Sequence, residues 1–150
     1  MRLRSLDQLA AAGLLTPKPA DRARAARMVP QARRDLDLAS GVLFSIDRQR
    51  AMSVASEAGF RACAATVDLA GFRVASQPGH HRAAIEAAGS VLGAAWLPTL
   101  RQLDAARRLR NELLYADPAP VSTAEFHGLI TGLEQLVGEV EHRLARLEAQ

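Results

Sequence analysis

The chain has 150 residues, 49% of them apolar and 23% charged, with a formal charge of +3 and a single cysteine. Such values describe one ordinary globular unit and exclude a disordered chain or an internally disulfide-bonded one. No apolar run approaches the ~18 residues of a transmembrane helix, and a charge of +3 is too small to establish a nucleic-acid partner by itself.

Residues 4–13 read as a short helix ending at Gly13. Its surroundings, "MRLRSLDQLAAAGLL", begin with arginines, but Asp7 interrupts the apolar part, so no signal peptide is expected. A soluble, cytoplasmic protein with no membrane partner follows as the expectation. The segment "TPKPA", 16–20, reads as a stiff turn, which makes 1–20 an N-terminal appendage to a helical bundle over 21–150.

Asp21 is placed to cap the next helix, in which Val29, Ala32, Leu36, Ala39 and Leu43 recur at steps of three and four. Pro30 predicts a kink or restart, because it lacks a backbone donor, and Gly41 weakens the far end. Asp47 opens a third helix running to about Gly71. Its small-residue face comprises Ala51, Ala55, Ala58, Ala62 and Ala65, followed by Leu69; Glu57 and Asp68 are its notable acids. Cys63 lies in this stretch and reads as a small core residue.

The stretch "SQPGHH", 76–81, is a predicted loop, 81–93 a helix, and "WLP", 96–98, a break. A helix from Leu100 to Leu114 follows, stopping near "ADPAP" at 116–120. In the last helix Ser122 and Glu125 fit a capping box. Phe126, Leu129, Ile130, Leu133, Leu136, Val137, Val140, Leu144 and Leu147 then form one stripe. The sum is an all-α, up-and-down bundle of four main helices with one or two short extras.

One residue conflicts with this pattern. At about 100° per residue, Leu100, Leu103, Ala106, Leu109, Leu113 and Leu114 share one apolar arc, with Arg110 near its centre. Burying an unpaired guanidinium costs several kcal/mol. Three arrangements satisfy it: a stem packed with its head in water, an ion pair with Asp68 or Glu57, or a shared anion site at a subunit interface. Arg107, Asn111 and Tyr115 recur every four residues on a neighbouring flank. That strip suits phosphate and base-edge contacts, and equally a solvated helix face.

Other chemistry is sparse. The His80–His81 pair is accompanied by no cysteine or acidic cluster, and His127 and His142 stand at no ligand spacing, so no metal site is expected. There is no phosphate-binding glycine loop and no Gly-x-Ser-x-Gly, and no cofactor is expected.

Three stretches together resemble the HEPN domain family, α-helical domains of prokaryotic toxin–antitoxin and defence systems. "ARRDLDLA", 32–39, is similar to the family's early helix. "ASEAGFRACAATVDLAGFR", 55–73, followed by "GHH", is similar to its alanine-rich second helix and histidine-bearing loop. "RNELLYADP", 110–118, resembles its main motif, an arginine, a polar residue, three more residues and then histidine. The likeness spans roughly residues 22 to 148.

The resemblance implies a HEPN-like four-helix bundle and a homodimer whose motif residues face one cleft. It also implies metal-independent endoribonuclease chemistry on RNA. Arg110 then holds the scissile phosphate and Asn111 positions it, with Arg107 and Arg108 as further RNA contacts. Tyr115 stands where the family has histidine. A phenol ionises at about 10 and is a poor base at neutral pH, whereas imidazole titrates near neutrality. The alternative is therefore a degenerate relative that binds RNA, nucleotide or a partner protein without turnover. Some family toxins are silenced by a nucleotidyltransferase that adds AMP to a tyrosine two residues after the histidine. Here that position is Asp117, leaving Tyr115 as the nearby phenol for such a partner.

Overall fold

The structure, a computed structural model, describes residues 2–113 and 121–150, with only the backbone described for 110–113. The chain is mostly helical. In order come α1 (Leu6–Ala11), β1 (Leu15–Pro17), α2 (Arg22–Leu38), α3 (Phe44–Ile46) and α4 (Arg48–Leu69). They are followed by β2 (Phe72–Val74), α5 (His80–Leu92), α6 (Leu97–Leu113) and α7 (Thr123–Glu148).

The helix starts follow from local chemistry. The Arg24 amide donates to Asp21, the Arg50 amide to Asp47, and the Glu125 amide to Ser122 Oγ at 3.1 Å, which is one half of the expected capping box. Helix α6 begins one residue before Pro98, which therefore lies in the first turn, where a missing N–H costs least. The expected break at 96–98 is instead a 3₁₀ turn, Ala94–Trp96, leading directly into that helix.

Helix α4 is central and packs on α2, α5, α6 and α7. Its alanine face is buried throughout, and Gly59 explains how closely its neighbours approach. A Cβ built there would lie 2.7 Å from Leu103 Cδ1 and 3.0 Å from Leu133 Cδ2. The α7 stripe is buried from Phe126 to Leu144, and Leu147 is half-buried.

Two expectations are corrected. Pro30 does not restart the helix, since α2 runs continuously through it. Pro30 and Ala26, whose carbonyl loses its partner, are both exposed, so water can replace the missing bond. The interruption falls instead at Gly41 (φ −96°, ψ −118°), inside a widened turn over Ala39–Leu43. Beyond it Phe44 stacks on Phe126 with ring centroids 4.5 Å apart, fixing this corner to the start of α7.

The second correction concerns "TPKPA". Thr16 and Pro17 belong to β1, which pairs antiparallel with β2 in the register Leu15↔Val74, Thr16↔Arg73, Pro17↔Phe72. Three-residue strands are too short to show alternation in a sequence. This ribbon and α1 close over Val67, Ala83 and Ala87 in a second apolar cluster with Leu9 and Leu15. Arg4 Nε also donates to the buried Glu86 at 2.7 Å, which ties the segment before α1 to α5.

Candidate functional site

The apolar arc of α6 takes the expected side. Leu100 and Leu103 are fully buried, Ala106 nearly so, and Leu109 is half-buried against the core. Arg110 and Asn111 lie in the last turn of this helix, and their side chains fall outside the described residues, as does Leu113's. Tyr115 and Leu114 also lie outside the described residues.

Arg107 and Arg108 are described, and both meet one carboxylate. Arg107 donates to Asp104 Oδ1 from Nε at 3.1 Å, with its Nη2 3.0 Å from the same oxygen; Arg108 Nη2 donates to Oδ2 at 2.8 Å. Asp104 is 3% exposed, so its charge is withdrawn from water and needs these partners. Arg107 is largely buried by the contact, whereas the Arg108 side chain keeps 58% of its surface exposed. Of the two, Arg108 is the better placed to meet an external phosphate. Asp104 was missed in the sequence, although an acid three and four residues before two arginines on a helix is a local signal for this pairing.

Asp68, a candidate partner for Arg110, is only 1% exposed. Arg24 Nη1 lies 2.9 and 2.8 Å from its two oxygens, and Arg73 Nε donates to Oδ1 at 3.1 Å. Arg73 also reaches Asp21 at 2.8 Å. Burial pushes the Asp68 carboxyl above the usual aspartate range, with Arg24 and then Arg73 pulling the other way. Glu57, the other candidate, is half-buried on α4.

The His80 and His81 rings lie side by side, with centroids 4.1 Å apart. His81 stacks on Phe60 at 4.3 Å, and His80 Nδ1 lies 2.8 Å from the Gln77 carbonyl. His127 meets Phe44 and Phe126 edge-on. Among the described residues no three potential ligands gather at one point, and no helix is long and apolar enough to cross a membrane. Cys63 is fully buried in the core, and burial pushes its thiol up to about 12.

Compared with protein-family models, with curated proteins and with solved structures, the chain shows no match.

Proposed function

We propose that this chain is a HEPN-type, RNA-directed module of the toxin or defence kind, acting as a homodimer with Arg110 as its phosphate contact. The observation that carries the reading is the sequence "RNELLYADP", whose first four residues close α6 ahead of the final long helix. The mostly helical fold supports it, as does the order of the three resembling stretches: the end of α2, α4, then the end of α6. In this reading Arg110 binds a phosphate bidentately, Asn111 orients it, and Arg108 adds a second cationic contact. The ribose 2′-hydroxyl attacks the adjacent phosphorus and loses its proton, the P–O5′ bond breaks, and the leaving oxygen takes up a proton, giving a 2′,3′-cyclic phosphate and a 5′-hydroxyl; the reading calls for no metal. A nucleotidyltransferase antitoxin is the partner the reading implies.

The phenol of Tyr115 favours a second version, in which RNA is bound without turnover, because a group ionising at about 10 accepts a proton poorly at neutral pH. One experiment separates the versions. Purified chain is incubated with RNA in chelator, beside Arg110→Ala and Tyr115→Phe. Cleavage lost in both variants supports the nuclease. Binding without cleavage, weakened by Arg110→Ala, supports the binding module. RNA neither bound nor cut by folded wild type overturns both.

A further inference from the structure

A cleft of about 270 Å³ opens between α2, α4, α5 and the segment after β2, and no described residue of α6 or α7 lines it. Two arginines from different helices, Arg24 and Arg61, line it together with His80, His81 and Ser76. No carboxylate is among the lining residues. Its remaining wall is apolar, built by Met28, Val74 and Ala84, with the Phe60 ring beneath the His81 imidazole.

The acids paired with these arginines, Asp68 and Asp35, are not among the lining residues. Arg24 is held through Nη1 alone by both oxygens of Asp68, and Arg61 through Nη1 alone by Asp35 Oδ2. Asp35 is itself held by Gln31 Nε2 at 2.9 Å. Among the described residues the Nε and Nη2 groups of both guanidiniums carry no hydrogen bond, which leaves a donor fork on each. The anchoring removes much of the rotational freedom an arginine otherwise loses when it captures an anion. Two ion pairs explain why each arginine lies where it does. They do not explain why both, with two imidazoles and a hydroxyl, converge on one small apolar-walled hollow.

We propose that this cleft binds a small phosphate monoester, its phosphoryl group between the Arg24 and Arg61 forks and its organic body against Met28, Val74 and Ala84. Planar guanidinium forks match phosphoryl oxygens, and the volume suits a body of one ring rather than a chain. The monoester has two sources with the same chemistry: a free small molecule, or the 5′-phosphate at the end of an RNA.

The test is an NMR titration of the full chain with phenyl phosphate, following the His80 and His81 ring signals, with phenol as the uncharged control. Saturable shifts with phenyl phosphate and none with phenol are expected. Arg61→Gln is expected to weaken binding about tenfold, the effect of one charge-assisted hydrogen bond, and Arg101→Gln, at an exposed position outside the cleft lining, to leave it unchanged. His80→Gln, at an exposed position, gives a second reduction should Arg61→Gln not fold. A preference for 5′-phosphorylated over 5′-hydroxyl RNA that Arg61→Gln erases supports the RNA end as source. Phenyl phosphate binding without that preference supports a free small molecule. Absence of saturation, or equal affinity in both cleft variants and wild type, overturns the site.

Discussion

Arg24 and Asp68, 44 residues apart, are joined through a single guanidinium nitrogen that lies within 2.9 Å of both carboxylate oxygens. The pair is asymmetric in exposure: the arginine side chain keeps 32% of its surface and the aspartate 1%. The buried anion therefore depends on the arginine far more than the arginine depends on it.

That asymmetry predicts an order of mutational cost. Arg24→Met leaves Asp68 buried with only Arg73 and is expected to lower unfolding free energy by about 3 kcal/mol, the lower end for breaking a buried pair. Asp68→Asn leaves two guanidiniums that can turn to water and is expected to cost less. Urea unfolding of both variants at neutral pH measures this, and the reverse order would show that the network is not organised around Asp68.

Two glycines separate packing from propensity. Gly138 lies inside α7, and a Cβ added there would meet nothing within 4 Å. Gly138→Ala is thus expected to raise stability by roughly 0.5–1 kcal/mol. Gly59→Val must displace Leu103 and Leu133, both fully buried, and is expected to cost at least about 2 kcal/mol from overpacking. Urea unfolding again provides the measurement, and equal effects at the two sites would contradict the close approach of α4 to α6 and α7.

Cys63 predicts an alkaline dependence. Its thiol ordinarily ionises at 9.0 and is pushed up to about 12 by burial. The folded chain thus keeps a proton that the unfolded chain releases above 9.0. This contribution is whole below 9.0 and is lost as pH rises toward 12. Stability profiles of wild type and Cys63→Ala should diverge in slope over that interval, the variant falling less steeply. In the native state the thiol is also expected to resist alkylation at neutral pH, reacting only on unfolding.

Arg108 separates a structural ion pair from an RNA contact. Because the side chain is mostly exposed, Arg108→Gln is expected to change stability by less than about 1 kcal/mol. If it meets a phosphate, the slope of log affinity against log salt for single-stranded RNA falls by about 0.7. An unchanged slope, with a reduced one in Arg110→Ala, would assign Arg108 to Asp104 alone.

Much of the helical layout was legible in the residues, because it rests on interactions three or four positions apart. Asp21, Asp47 and Ser122 cap the helices they precede, and the alanine face of α4 and the stripe of α7 turn inward as their spacing requires. Asp104 with Arg107 and Arg108 obeys the same short-range rule and could have been read. Arg110 and Asn111 could be placed on α6 in the same way, whereas what their side chains meet is not a local property.

Pro30 and Gly41 mark where that locality ends. A proline's lost hydrogen bond matters little when the orphaned carbonyl faces water, and which face meets water is set by the neighbouring helices. The pairing of β1 with β2, the Arg24–Asp68–Arg73 network and the cleft walled by α2, α4 and α5 likewise join residues far apart in the chain. Amino-acid order by itself determined where helices start and which side of each is apolar, since each residue meets its own turn whatever the rest of the chain does. Only tertiary packing decided which charges are withdrawn from water and which partners they find there, since desolvation depends on what the fold brings alongside.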